Sequence, residues 1–142
     1  MLVLDSDLMS ILLRGPATER RWLLDWLDAS DDENVVVSII TFEEQMRGWM
    51  SAIAKARNPL EKVPGYASLH LFLHEFQRLP VIDFDDRAAR TFVELRRRYR
   101  RQGSADLSIA AIAIANGATL LTRNARHFSE IVELTVENPL RP

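Results

Sequence analysis

Two rhythms of apolar residues alternate along this chain. Short, nearly unbroken apolar runs read as strands: Met1-Leu-Val-Leu4, Val35-Val-Val-Ser-Ile-Ile40, Leu79-Pro-Val-Ile-Asp83, Ala118-Thr-Leu-Leu121 and a shorter one from Ile131 to Val136. Runs without polar alternation suit strands buried on both faces, as in a parallel sheet. Between them the period lengthens to that of a helix. Thr18 to Asp28 places Trp22, Leu23, Trp26 and Leu27 at i, i+4 spacing, with Thr18 as the expected cap. Thr41 is expected to cap the next helix, with Glu44 three residues later completing a capping box. Pro59 to Arg78 reads as one helix or two, interrupted near Pro64-Gly65. Asp86 to Arg101 reads as a long helix ended by Gly103, and Ala105 to Asn116 as a nearly all-apolar, buried helix ended by Gly117. The alternation predicts an α/β fold of three layers, a mainly parallel central sheet flanked by helices.

The length of 142 residues fits a single domain spanning 1–142, with no internal repeat or low-complexity tract. Cysteine is absent, which excludes disulfides and thiolate metal sites. No apolar stretch is long enough to span a bilayer, and the N-terminus has neither a basic leader nor a small-residue cleavage site. A cytoplasmic location with no membrane partner is the expectation. The net charge of −2 argues against a uniformly basic nucleic-acid binder. Sixteen of the eighteen basic residues are arginines, several of them in Arg96-Arg-Arg-Tyr-Arg-Arg101. That run reads either as a phosphate-binding patch or as a solvated helix face.

The candidate chemistry is acidic. Asp5 ends the first strand, Glu44 follows the second and Asp106 starts the apolar helix that leads into the fourth. In an open parallel sheet such positions converge at the carboxyl ends of the strands. Carboxylates gathered there repel one another, and a hard divalent cation relieves the repulsion. Each acid also has a plain structural reading: Asp5 as a turn residue, Glu44 as the capping partner of Thr41, Asp106 as a helix cap.

Four segments, Leu4-Asp-Ser-Asp-Leu-Met-Ser10, Ile39 to Gly48, Asp106-Leu-Ser-Ile-Ala-Ala111 and Leu120 to Phe128, stand in an order and spacing that resemble the PIN-domain family, and most nearly its VapC-type ribonuclease toxins. The resemblance covers essentially the whole chain. It implies a Mg²⁺- or Mn²⁺-dependent endoribonuclease, held inactive by a VapB-like antitoxin and assembled as a homodimer or toxin–antitoxin hetero-oligomer. It makes Asp5, Glu44 and Asp106 the catalytic and metal-ligating acids. Ser6, Asp7, Thr122 and Asn124 would support them, Ser6 by a hydroxyl placed to bond the carboxylate or a metal-bound water. Gly48, i+4 from Glu44, would permit close backbone packing. Arg123 and Arg126 are candidate RNA contacts. The chain departs from the family where a fourth acid is common, since Asn124 and His127 occupy those positions.

Two other functions compete. A PIN-like domain impaired by the missing acid would only bind RNA or a partner. Leu2-Val-Leu-Asp-Ser-Asp7 also resembles the Asp-x-Asp motif of haloacid-dehalogenase-like phosphatases, with Asp85-Asp86 as the later acidic pair, but that reading leaves Glu44 and Asp106 without a role. His70 and His74, one helical turn apart, lack an evident third ligand and read as surface or interface histidines. Trp22, Trp26 and Trp49 read as core or interface. Trp49, Met50, Leu69, Leu71, Phe72 and Leu73 are candidate apolar surface.

Overall fold

A computed structural model describes residues 1–140. Its core is a sheet of β1 (Leu2–Leu4), β2 (Val35–Ser38), β3 (Val81–Ile82), β4 (Thr119–Leu121) and β5 (Thr135–Glu137), ordered β3-β2-β1-β4-β5, with every adjacent pair parallel. Six helices surround it: α1 (Ser6–Arg14), α2 (Ala17–Asp28), α3 (Ile39–Ala54), α4 (Pro59–Phe76), α5 (Asp86–Arg98) and α6 (Ser104–Ala115). A 3₁₀ turn, Ala125–Phe128, follows β4.

Register explains the unbroken apolar strands. Val3 lies opposite Val36 and Leu120, and all three enter one core with Leu95, Leu107, Ala110 and Ala111. Leu4 lies opposite Val37 and Leu121, and these face the other core, with Leu8, Met9, Leu23, Phe72 and Phe76. Successive residues alternate faces, so a strand covered on both sides must be apolar at every position. The small side chains Ala110, Ala111 and Ala113 are wholly buried, which makes α6 apolar on all sides, as expected. Gly117 ends that helix at φ +60°, a left-handed turn that glycine adopts without strain.

Several local expectations change. α1 has no counterpart in the predicted elements; it is short, and Asp5-Ser6 reads as the end of a strand. β2 stops at Ser38, and α3 begins at Ile39. Ser38, not Thr41, caps α3: its buried hydroxyl accepts from the Thr41 amide at 3.1 Å and lies 3.2 Å from the Thr41 hydroxyl. Glu44 therefore has no capping duty. Thr18 lies inside α2, whose N-cap is Pro16. Pro64 does not interrupt α4, which runs unbroken from Pro59. A Cβ on Gly48 would meet nothing, whereas one on Gly65 would stand 2.7 Å from Ile53, so the close α3–α4 approach is at Gly65. α5 ends at Arg98, and β5 begins only at Thr135. Of the candidate surface residues, Met50, Leu71 and Leu73 are exposed, while Phe72 is core. Trp26 and Trp49 are half-buried against a core, and Trp22 is exposed. Among the described residues no helix is long and apolar enough to cross a membrane.

The Ser38 cap generates a stability prediction. Ser38→Ala removes the cap and leaves the buried Thr41 hydroxyl without its partner, costing about 1–2 kcal/mol. Chemical denaturation should show a lower midpoint with an unchanged slope.

Candidate active site

Chain direction determines where the site forms. From β1 the strands add toward one edge through β2 and β3; the chain then crosses to the opposite side of β1 for β4 and β5. Such a reversal opens a crevice at the carboxyl ends of β1 and β4. Asp5 follows β1 directly, and Thr122 follows β4. The Asp5 amide donates to the Leu121 carbonyl at 3.1 Å, which continues the ladder past the last paired residues.

Asp5 is held by both carboxylate oxygens. Oδ1 caps α1, accepting from the Leu8 amide at 2.8 Å. Oδ2 accepts from the Thr122 hydroxyl, which in turn accepts from the Asn124 amide at 3.0 Å. Thr122 is fully buried, so this hydroxyl is a fixed part of the site floor. Burial pushes the Asp5 carboxyl above the usual aspartate range, and the nearby Asp7 charge adds to the rise, against the lowering effect of the Leu8 and Thr122 hydrogen bonds.

Glu44 projects from the second turn of α3, and Asp106 from the first turn of α6, where the helix dipole favours an anion. The cap of α6 is Gly103, so Asp106 is no N-cap. Loss of hydration raises the Glu44 carboxyl most; Asp106, Glu43 and Asp5 raise it further, against the lowering effect of Arg47. Asp106 and Asp5 thus both act on the charge of Glu44. No three His, Asp or Glu side chains among the described residues are drawn together tightly enough to enclose an ion as they stand. The donor set still fits a hard divalent cation, being entirely carboxylate oxygen with mutual repulsion to relieve. A polar cleft of about 350 Å³ between α3 and α6, lined by Glu43, Glu44, Arg47, Ser104 and Ser108, adjoins these acids.

The surrounding residues divide by what they touch. The Ser6 hydroxyl is not on Asp5; it accepts from Gln45 Nε2 at 2.9 Å and ties α1 to α3 beside Glu44. The carboxylate bond, one of the two roles open to Ser6, is made instead by Thr122. Asp7 forms an ion pair with Arg123, whose guanidinium also reaches Glu19 at 3.6 Å. Arg123 is therefore engaged by two carboxylates rather than free for phosphate, whereas Arg126 is exposed. Asn124 precedes the 3₁₀ turn without capping it through its side chain. His127 is exposed, and its carbonyl accepts from Gln102 Nε2 at 2.6 Å.

Gln45 was not singled out in the sequence, and Arg96 stood out there only as the start of the arginine run. Arg96 donates to the Gln102 carbonyl at 2.7 Å and the Ser104 hydroxyl at 3.0 Å, and lies over the Phe92 ring. It closes the loop that delivers α6 and Asp106. Arg98 pairs with Glu133, so the arginine run is partly structural. Asp85 caps α5, and Asp86 pairs with Arg90, which gives the phosphatase-like acidic pair an ordinary helical role.

Raised carboxyls favour a protonated folded state. Their contribution to stability is complete below the unfolded carboxylate range and is lost as pH rises through the folded pKa. Glu44→Gln should therefore raise the melting temperature at neutral pH, and the gain should vanish below about pH 4. Thermal melts of both proteins across that range check it.

Comparison with known proteins places the chain in a family. The PIN domain family model matches residues 2–134. The plasmid stability protein StbB of Pseudomonas syringae pv. tomato is 32% identical over 144 residues, covering 98% of each chain. Ribonuclease VapC2 of Rickettsia felis is 32% identical over 111 residues, 75% of each chain. Among solved structures, VapBC2 from Rickettsia felis bound to a promoter DNA fragment superposes with a TM-score of 0.68 at 27% identity, covering 96% of this chain and 97% of that one. With a family model spanning nearly all of the sequence and a five-stranded parallel sheet of the matching fold, the chain belongs to the PIN-domain family.

Proposed function

We propose that this protein is a metal-dependent endoribonuclease, the toxin of a VapBC-type toxin–antitoxin pair acting in the cytoplasm. What most supports the reading is that Asp106 and Asp5, from two other elements, both act on the Glu44 carboxyl beside the crevice where the strand order reverses. Relatives named as ribonucleases support the activity, and solved VapBC complexes support an antitoxin partner.

Asp5, Glu44 and Asp106 would hold Mg²⁺ or Mn²⁺. When bound, such an ion lowers the pKa of water and stabilises negative charge on phosphate oxygens. In the hydrolysis, water oxygen adds to phosphorus, the bond to one ribose oxygen breaks, and a proton passes from the water to the leaving oxygen. The protein's part is positioning. The Leu8 amide and the Thr122 hydroxyl fix both oxygens of Asp5. Ser6 and Gln45 hold α1 against α3, and with it Asp5 relative to Glu44. Glu44, raised chiefly by loss of hydration and further by Asp106 and carried on a flexible side chain, is the candidate to take the proton from water. RNA would approach over the polar α3–α6 cleft, with Arg126 available for phosphate; a single-stranded or looped segment suits so open a site.

The test is cleavage of total cellular RNA by the purified chain in Mg²⁺, Mn²⁺ and EDTA. EDTA should abolish cleavage, and Asp5→Asn or Asp106→Asn should lower kcat at least about a hundredfold. Cleavage that survives either change would sink the reading. Retained RNA or antitoxin binding with no cleavage in any metal would favour the impaired binding domain, for which the observation is Asn124 in place of an acid. A further expectation concerns the ion itself. Asn124→Asp adds a carboxylate and should tighten Mg²⁺ binding in calorimetry; an unchanged affinity would place position 124 outside the metal's reach.

A further inference from the structure

We propose that His70 and His74 form a second metal site, on the outer face of α4, for a late first-row divalent ion of the zinc, nickel and copper class. The two residues are one helical turn apart, and both are exposed. Their rings turn toward each other: the Nε2 atoms are 3.0 Å apart and the ring centroids 4.8 Å. Two bare nitrogen lone pairs would not face each other at that distance, so one Nε2 carries the hydrogen that the other accepts. The pair holds a single shared proton between two converging donors.

An ion can replace that proton with little rearrangement. At metal–nitrogen distances of about 2.0–2.1 Å, nitrogens in adjacent coordination positions stand about 2.9–3.4 Å apart. The observed separation falls within that span before any metal is added. A helix already fixes the spacing of the two side chains, so ring rotation supplies the remaining adjustment.

Ligand chemistry separates this site from the acidic crevice. Imidazole nitrogen selects zinc, nickel and copper and holds Mg²⁺ poorly; the carboxylates of Asp5, Glu44 and Asp106 have the opposite preference. No third His, Asp or Glu among the described residues completes the histidine site. Water fills the remaining positions, and the affinity is that of a two-ligand chelate. His70 also lines an apolar cleft of about 480 Å³ with Phe42, Met46, Tyr66 and Leu73, so a bound ion would add charge to an otherwise apolar face.

The experiment is Zn²⁺ and Ni²⁺ titration of the full chain, free of any histidine tag, by competition with a chromophoric chelator. Wild type, His70→Ala, His74→Ala and the double variant are compared, with melting curves to verify folding. The expected result, with excess Mg²⁺ present to occupy the carboxylates, is one Zn²⁺ or Ni²⁺ per chain, weakened at least about tenfold by either single change. Absence of binding by wild type, unchanged binding by the folded double variant, or displacement by Mg²⁺ would each overturn the proposal. No RNA enters the measurement, so its outcome is independent of the ribonuclease reading.

Discussion

Dehydration of β1 on both faces is the constraint from which the site follows. Leu2, Val3 and Leu4 are almost wholly buried because β2 and β4 flank the strand and helices cover both sides. The chain can leave such a strand only at its carboxyl end, and it leaves with Asp5. That carboxylate enters a poorly hydrated crevice, which raises its proton affinity. It is kept there by an amide and a hydroxyl, from Leu8 and Thr122, that orient its two oxygens. One side chain thus starts α1, joins the ends of two strands and forms the floor of the acidic cluster.

The rest of the site rests on that arrangement. The capping of α3 by Ser38 leaves Glu44 free of the helix end and able to face Asp106 and Asp5. Arg96 closes the loop before α6, so Asp106 is presented from a helix whose entry is fixed. Repulsion among the acids makes the crevice unfavourable for the unliganded fold and favourable for a hard cation. The clamp of Arg123 on Asp7 and Glu19 works in the other direction: it neutralises charge beside the site and holds the β4 exit against α1 and α2.

Much of this was legible in the linear chain. Strands β1, β2 and β4 were found because burial on both faces leaves them few polar positions, and α6 because full burial leaves that helix no polar face. The order of Asp5, Glu44 and Asp106 along the motifs carried the family resemblance, and the family match over residues 2–134 agrees with it. Local pattern was weaker where two neighbours compete for one role. Thr41 and Ser38 are equally plausible caps in sequence; burial of the Ser38 hydroxyl at the end of β2 selects it. Ser6 and Thr122 are both hydroxyls near Asp5, and only the β1–β4 pairing brings Thr122 within reach.

The sequence by itself determined the alternation of strands and helices, the types of residue at the acidic edge and the absence of thiolate chemistry, because these depend on composition and local periodicity. Only the tertiary structure decided which hydroxyl holds Asp5, that Arg123 is occupied by two acids, and that the His70 and His74 rings converge. Those outcomes depend on strand order and on distances between side chains up to 117 residues apart, which no local pattern encodes.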